Sequence, residues 1–185
     1  MRSSIDGVPV IGVMAASGAG KTSLLRALVP QLRATGLRIG CIKHTHHPID
    51  IDRPGKDSHA LRAAGAAQML LAAPTGWVLM VDTPQAQGED FTQLVRHLDL
   101  STLDVVLVEG YKFEDFPKLA LHRHDLDGTL ATPTDATVIA IASNQRPLPR
   151  AEVPVFALDD AASIANFIIH HCARLQGLRD DNSKT

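Results

Sequence analysis

The sequence predicts an α/β protein, a three-layer sandwich whose mainly parallel central sheet carries an inserted β-hairpin. An apolar run at 8–14 is followed by a helical pattern and a second apolar run at 37–43, which is the β-α-β order of a parallel sheet. The run at 104–108 is apolar after its first residue, as in a strand buried on both faces. Two β-like runs, 67–72 and 77–81, are joined through a Pro-Thr-Gly turn so short that the strands must be antiparallel neighbours. These runs together predict a covered parallel sheet with a hairpin inserted in it.

The first apolar run passes through small residues into a helical pattern that begins at Lys21. The segment Ala-Ala-Ser-Gly-Ala-Gly-Lys-Thr over 15–22 fits a phosphate-binding P-loop, except that Ala15 stands where the motif has its first glycine. Alanine is acceptable there if the backbone φ is negative. In a P-loop the backbone N–H groups surround phosphate, the lysine reaches the β- and γ-phosphates, and the threonine ligates Mg²⁺. A turn that merely caps a helix would leave Lys21 without a function. The predicted nucleotide-binding residues are Ser17, Gly18, Ala19, Gly20, Lys21, Thr22 and Ser23.

Proline, glycine and capping residues set the expected bounds of the other elements. The first helix is expected over 21–35, where Pro30 should kink it or split off its last turn and Gly36 should end it. Asp57 or Ser58 should cap a short helix. The expected elements after the first strand pair are helices at 57–64, 89–98 and 160–175, and strands at 67–72, 77–81, 104–108, 119–122, 137–142 and 153–158.

Length and composition suit a single nucleotide-binding domain over 1–185, with flexible ends at 1–7 and 176–185. A net charge of -2 gives no reason to expect nucleic acid or a membrane surface as partner, and no apolar run is long enough to cross a membrane. Cys41 and Cys172 lie far apart and form no C-x-x-C motif. They are therefore expected to be reduced thiols of a cytoplasmic protein.

A P-loop needs a carboxylate near its Mg²⁺, and the strand at 104–108 is suited to supply one. Glu109 stands at the carboxyl end of that strand, whereas Asp104 lies at the other end, roughly 16 Å away. Glu109 is therefore predicted to serve the metal together with Thr22. Asp82, after the second hairpin strand, is the other candidate, and an ordinary charged residue at a strand end is the plain alternative.

The most polar segment of the chain lies over 43–57, where two prolines and a glycine predict a loop at the carboxyl edge of the sheet. A second-ligand site or a switch loop is the first interpretation. A metal site is another, since His-x-His places two imidazoles together and Asp50 or Asp52 could complete it. A solvated surface loop is the third. The candidate residues are Lys43, His44, His46, His47, Lys56 and Asp57.

No motif decides which base the nucleotide carries. An Asn-Lys-x-Asp element would hold guanine through its carboxylate. After the strand at 137–142 the chain instead reads Ser143-Asn144-Gln145-Arg146, and no acid stands at the usual offset. The residues alone leave guanine and adenine both open.

Six sequence blocks, in this order and spacing, resemble the family of molybdopterin-guanine dinucleotide biosynthesis adaptor protein B (MobB). The resemblance covers about 8–170, and Ala15 looks like the family's own form of the loop. The Lys-His-Thr-His-His and Pro-Gly-Lys-Asp-Ser blocks are its most distinctive parts. Asp82 stands where glutamate is expected, which weakens the case that it reaches Mg²⁺. The blocks are the P-loop, Ile42–His47, Arg53–Ser58, Leu61–Ala67, Asp82–Pro84 and Leu107–Lys112.

The resemblance implies a homodimeric P-loop protein of molybdenum cofactor biosynthesis that binds GTP and Mg²⁺. Such a protein assists the guanylyltransferase that joins GMP to molybdopterin, forming molybdopterin-guanine dinucleotide, and a direct contact with molybdopterin is left open. We favour an adaptor with at most slow GTP hydrolysis, in which the nucleotide orders the loop at 44–57. The alternatives are a small-molecule kinase that transfers the γ-phosphoryl group and a structural dimerisation partner with a relic P-loop.

Overall fold

The computed structural model describes residues 1–45, 47, 52–82, 90–124, 136–145 and 152–182, with side chains described as far as 176. Contacts group the chain into two compact units. We call residues 1–44 and 90–185 the sheet unit and residues 45–89 the hairpin unit. That the whole chain forms a single domain stays a prediction.

Both units contain strands and helices. In chain order the strands are β1 (Ser4–Ile5), β2 (Val8–Met14), β3 (Ile39–Lys43), β4 (Gln68–Ala73), β5 (Gly76–Val81), β6 (Val105–Glu109), β7 (Lys118–His122), β8 (Val138–Ser143) and β9 (Val155–Ala157). The helices are α1 (Lys21–Ala34), α2 (Asp57–Ala63), α3 (Phe91–Val95) and α4 (Ala161–Asn182), with a 3₁₀ turn at Leu100–Thr102. No described helix is both long and apolar enough to cross a membrane.

The sheet of the sheet unit is mainly parallel, as predicted. Its strand order in the described residues is β3-β6-β2-β7-β8-β9, and every neighbouring pair in that order is parallel. The short β1 pairs antiparallel with β2. The later strands extend the sheet on both sides of β2, so the direction of the strand order reverses there. The carboxyl end of β2 is therefore the switch point at which ligands bind in open α/β sheets.

Alternate residues of the central strands point to opposite faces, and both faces are covered. Ile11 and Leu107 pack with buried leucines of α1 and with Ile164 of α4. Val10 and Val106 pack on the other side with Phe91 of α3 and its neighbours. Two apolar clusters on the two faces of one sheet make the three layers that the sequence predicts.

The hairpin unit contains the predicted β-hairpin. β4 and β5 are antiparallel in a register that runs from Gln68 opposite Val81 to Ala73 opposite Gly76. Its apolar side chains are mostly exposed: Leu70 by 56%, Trp77 by 67% and Leu79 by 42%. This is the reverse of the burial found along β6.

Two helices differ from expectation because of local chemistry. α1 runs through Pro30 without losing its last turn and ends before Gly36, whose φ is +90°. Pro30 and Arg26 are both exposed, so water can satisfy the carbonyl that the proline leaves without a donor. The expected split of the helix is wrong.

The predicted cap of α2 is also wrong. Lys56 occupies the cap position and makes no side-chain cap hydrogen bond, while Asp57 is the first helical residue. Ser58 instead donates from its hydroxyl to Oδ1 of Asp52 at 2.8 Å. A hydroxyl committed to a neighbouring carboxylate is not available to the helix end.

The other two helices depart from expectation in length. α3 is shorter than the expected 89–98, and Asp90 caps it by accepting from the backbone N–H groups of Thr92 and Gln93. α4 continues past the expected end at 175 to Asn182. Part of the expected flexible tail at 176–185 is therefore helical.

Candidate nucleotide-binding site

The P-loop joins the carboxyl end of β2 to the start of α1, as predicted. Gly18 has a φ of +77° and Gly20 a φ of +97°, conformations that side chains rarely adopt. The described non-glycine residues with positive φ are Asp6 and Tyr111, so the backbone at Ala15 has the negative φ that alanine requires. The loop accommodates its one departure from the motif without strain there.

Lys21 is held over the loop by the loop's own backbone. Its ammonium group donates to the carbonyl oxygens of Ala15 at 3.1 Å and Ala16 at 2.9 Å. A cation fixed above a loop of glycines, at the N-terminus of a helix, makes a strongly anion-attracting position.

The sheet register lines up Glu109 with residues on both of its neighbouring strands. Val13 of β2 is its partner on one side and Lys43 of β3 on the other. The two carboxylate oxygens of Glu109 lie 3.0 and 2.9 Å from Oγ1 of Thr22. The Nζ atom of Lys43 lies 3.4 Å from the same carboxylate and 3.4 Å from Oγ1 of Thr22. The structure thus brings Thr22 and Glu109, which the sequence assigned to the metal, together with Lys43, which it assigned to the second-ligand or switch loop.

A hydroxyl and a carboxylate in contact are the hard oxygen donors that Mg²⁺ takes in proteins. The side chain of Glu109 is only 12% exposed, so its charge is shielded from water on most sides. In this arrangement the ammonium of Lys43 neutralises it. The donor set fits Mg²⁺, and Mg²⁺ binding by Thr22 and Glu109 stays a prediction.

The two other acids considered for the metal have different partners. Asp104 pairs with Arg38 at the opposite end of β6, and that arginine's hydrogen bonds hold the pKa of the carboxyl below its usual range. Asp82 accepts from Nη2 of Arg62 at 2.7 Å within the hairpin unit. Among the three acids, Glu109 is the one in contact with the P-loop.

His44 is fastened to the strand end that carries Glu109. Its backbone N–H donates to the carbonyl of Glu109 at 2.8 Å, and its ring lies 4.6 Å from that of Tyr111. Gly110, between Glu109 and Tyr111 in sequence, has a φ of +107°. A Cβ at this position would lie 2.7 Å from the Cβ of His44. The glycine is therefore required twice, once for its conformation and once for this close approach. This contact was not predicted, although both residues lie in sequence blocks that carry the family resemblance, Ile42–His47 and Leu107–Lys112.

The remaining loop candidates belong to the hairpin unit. His47 donates its backbone N–H to Oγ1 of Thr45 at 3.1 Å. Lys56 and Asp57 line a cavity of about 520 Å³ within that unit, together with Asp52 and Arg53. His46 and Asp50 lie outside the described residues. The described part of the chain holds no group of three or more His, Cys, Asp or Glu side chains suited to a metal ion.

A cavity of about 740 Å³ lies beside the P-loop within the sheet unit. Arg123 forms one wall and donates from Nε to the carbonyl of Ala19 at 3.2 Å. Other walls come from α1, from the end of β8 and from the segment between β9 and α4. The sequence analysis did not single out Arg123, although it directly follows β7, the neighbour of β2. Its position at a carboxyl strand end is the signal that could have found it.

The described geometry matches a known family. The family model for "Molybdopterin guanine dinucleotide synthesis protein B", MobB, matches residues 10–144, which include the P-loop, Lys43, His44 and Glu109. The chain belongs to the MobB family. Two relatives are named molybdopterin-guanine dinucleotide biosynthesis adapter proteins. The Escherichia coli (strain K12) protein is 42% identical over 174 residues, covering 92% of this chain and 97% of the relative. The Haemophilus influenzae protein is 38% identical over 167 residues, covering 89% and 91%.

Solved MobB structures share the fold. Bacillus subtilis MobB superposes with a TM-score of 0.65 at 23% identity, covering 88% of this chain and 96% of that one. The MobB homologue from Bacillus stearothermophilus gives a TM-score of 0.66 at 23% identity, covering 89% and 98%. These similarities concern the architecture, which is the α/β fold described above.

Proposed function

We propose that this chain is a GTP-binding adaptor of molybdenum cofactor biosynthesis. It assists the guanylylation of molybdopterin to molybdopterin-guanine dinucleotide and hydrolyses GTP slowly at most. The names of the relatives at 42% and 38% identity support the adaptor role. One observation carries the nucleotide dependence: Glu109 contacts Thr22 of the P-loop through its side chain and His44 through its backbone.

The proposed nucleotide site uses the P-loop residues that the sequence singles out. The segment from Ser17 to Ser23 surrounds the phosphates, and Lys21 neutralises them. Thr22 and Glu109 would hold Mg²⁺, which would neutralise phosphate charge. The positive φ values of Gly18 and Gly20 support this, because they turn backbone N–H groups inward as an anion nest.

The described side chains near Thr22 support slow hydrolysis. Fast phosphoryl transfer needs a residue that orients the attacking water or the acceptor. Glu109 is already in contact with Thr22 and Lys43, and the ring of His44 packs against Tyr111. Neither group is set to act as a base.

The adaptor's response to GTP follows from Glu109. A Glu109 carboxylate that held Mg²⁺ would no longer be the partner of Lys43. The hydrogen bond from the His44 N–H to the Glu109 carbonyl would link that change to His44. His44 is the last residue before the hairpin unit begins at Thr45. The nucleotide thereby conditions the segment that holds His46, His47, Lys56 and Asp57. The cavity that Arg53 and Lys56 line together with Asp52 and Asp57 gives that segment a place for a second ligand, for which molybdopterin is the candidate.

The chain acts as a homodimer that engages the guanylyltransferase. The exposed apolar side chains of β4 and β5 support this, since monomeric proteins rarely leave such a patch open to water. A cytoplasmic location belongs to the same proposal and is supported by the free thiols of Cys41 and Cys172.

Calorimetry with Mg-GTP and Mg-ATP tests nucleotide binding, and a reconstituted guanylyltransferase reaction tests the adaptor role. Binding of GTP and a higher yield of dinucleotide cofactor in the presence of the chain are expected. The absence of a binding heat with Mg-GTP, or an unchanged yield of dinucleotide cofactor, would contradict the proposal. Acceptor-dependent turnover at about 1–100 per second would indicate a kinase instead.

A further inference from the structure

The cavity beside the P-loop contains one acid that the sequence analysis did not assign. Asp159 lines it together with Leu158 and with residues of the first turn of α1. The backbone N–H of Leu158 donates to the carbonyl of Ser143 at 3.0 Å, and that of Asp160 donates to Ala157 at 3.1 Å. Asp159 therefore stands in a hydrogen-bonded turn that is fastened to β8.

Asp159 follows β9, which is the neighbour of the strand after which guanine-binding motifs place their acid. Guanine-binding motifs place their acid after the strand that here is β8, and that segment offers no acid at the usual offset. β9 pairs in parallel with β8, with Ala157 opposite Ser143. Carboxyl ends of parallel strands meet at one sheet edge, so the turn after β9 delivers an acid to the same place.

Two other side-chain acceptors in the cavity wall, those of Asn144 and Ser143, are committed to protein partners. Oδ1 of Asn144 accepts from the backbone N–H of His124 at 2.9 Å. The Ser143 hydroxyl is buried, accepts from the N–H of Gln145 at 2.9 Å, and lies 3.0 Å from Nδ1 of His122. Asp159 is exposed and has no hydrogen-bond or ion-pair partner among the described residues.

A carboxylate is an acceptor with no donor, and this decides which base it suits. The Watson–Crick edge of guanine presents two donors side by side, N1–H and the N2 amino group. Adenine presents the lone pair of N1 at the matching position, which a carboxylate repels. A paired, charge-assisted contact of this kind discriminates strongly, because the wrong base leaves a charged acceptor unpaired.

We propose that Asp159, standing in the cavity beside the P-loop, selects guanine by accepting hydrogen bonds from N1 and N2 of the base. This assignment rests on the proposed binding of GTP and names the residue that would make the site prefer GTP to ATP. The acid comes from the turn between β9 and α4 rather than from the segment after β8.

Equilibrium binding of Mg-GTP, Mg-ATP and Mg-XTP to the full chain and to Asp159→Asn tests the assignment. The asparagine keeps one acceptor for N1–H but turns a donor towards N2, so GTP affinity should fall by about 10- to 100-fold. Xanthine carries a carbonyl in place of the N2 amino group, so the same variant should bind XTP more tightly than wild type does. ATP affinity should not fall and should rise if anything, because the variant removes the carboxylate that repels N1 of adenine.

Asp160→Asn is the matched control. Asp160 is the next residue, but its side chain caps α4 by accepting a hydrogen bond from the backbone N–H of Ser163. Asparagine caps a helix equally well. Its GTP and XTP affinities should equal those of wild type. A GTP-to-ATP preference that Asp159→Asn leaves unchanged, or an XTP gain in both variants, would overturn the assignment while nucleotide binding stands. A wild-type chain that binds no Mg-nucleotide would overturn the proposed function and this assignment with it.

Discussion

The sheet unit and the hairpin unit use similar apolar strands in opposite ways. In β6 the residues from Val105 to Val108 are at most 1% exposed, because helices cover both faces of the sheet. In β5 the neighbours of Met80 are largely open to water, and Trp77 is 67% exposed. Apolar composition therefore predicts a strand in both places, but what covers the strand is decided elsewhere in the fold.

The difference also separates two roles. The sheet unit is complete in itself, with the P-loop, Glu109 and the cavity at one edge. The hairpin unit offers an apolar surface whose burial would stabilise an assembly by about 25 cal/mol for each Å² removed from water. Under the proposed function, nucleotide binding belongs to the sheet unit and dimer formation to the hairpin unit.

The largest effect is expected from shortening one leucine in each unit. Leu107→Ala removes a side chain that is 1% exposed, and should lower the free energy of unfolding by about 3 kcal/mol. Leu79→Ala removes one that is 42% exposed, and should cost less than about 1 kcal/mol in dilute solution. Urea unfolding followed by circular dichroism gives both values.

The same pair of variants tests the dimer. At high protein concentration Leu79→Ala should weaken self-association in analytical ultracentrifugation. Equal destabilisation by the two substitutions at every concentration would mean that the hairpin unit is buried in the monomer, and the contrast between the units would be lost.

A change confined to the P-loop should act on binding and leave folding intact. Lys21→Ala removes the cation held over Ala15 and Ala16, and should lower the affinity for Mg-GTP by about 100-fold in calorimetry. Arg33→Ala removes an exposed cation from the last turn of the same helix and is the control. If Lys21→Ala and Arg33→Ala had the same affinity for Mg-GTP, the loop would not be the phosphate-binding site.

The link between Glu109 and His44 can be broken at Gly110. Gly110→Ala forces an alanine into a φ of +107° and against the Cβ of His44, which together should cost about 2 kcal/mol of stability. Gly36→Ala meets a similar φ of +90° with nothing within 4 Å, and should cost about half as much.

The two glycine variants should differ most in their response to nucleotide. Proteolysis of the loop after His44, with and without Mg-GTP, reports whether the nucleotide still protects it. Protection should survive in Gly36→Ala and be reduced in Gly110→Ala. Identical protection in both variants would show that the signal does not pass through His44.

Much of the fold was predictable because its signals are local. The first strand, the P-loop, α1 and the hairpin each have a compact signature of apolar period, glycines and a short turn. Glu109 was predictable as well, since a buried strand fixes which of its ends reaches the ligand edge. The structure confirms the expected strand and hairpin, and it places Glu109 against Thr22.

The missed features depend on residues far apart in sequence. Asp159 enters the cavity because β9 lies next to β8, and strand order is not written in any short segment. The contact of Gly110 with His44 likewise needs β3 and β6 to be neighbours. The prediction of the α2 cap failed for a different, local reason, because the Ser58 hydroxyl donates to the carboxylate of Asp52, six residues earlier.

The smallest effect is expected from breaking an aspartate–arginine ion pair, of which one in each unit is considered. Hydrogen bonds from Arg38 lower the pKa of Asp104, so its ionised form stabilises the folded state. That contribution is complete above the ordinary aspartate pKa of about 3.9 and is lost as the pH falls through the lowered value. Because the pair is partly exposed, Asp104→Asn should cost at most about 1 kcal/mol at pH 7 and nothing near pH 2.

Asp82→Asn breaks the corresponding pair with Arg62 in the hairpin unit and completes the comparison. Urea unfolding at pH 7, followed by the fluorescence of Trp77 and by far-ultraviolet circular dichroism, separates the two units. Trp77 reports on the hairpin unit, whereas most helical signal comes from the sheet unit. If the units unfold independently, Asp82→Asn shifts the fluorescence transition alone and Asp104→Asn shifts the dichroism transition alone. Coincident shifts in both variants would mean that the two units unfold as one, which is the behaviour of the single domain that the sequence predicts.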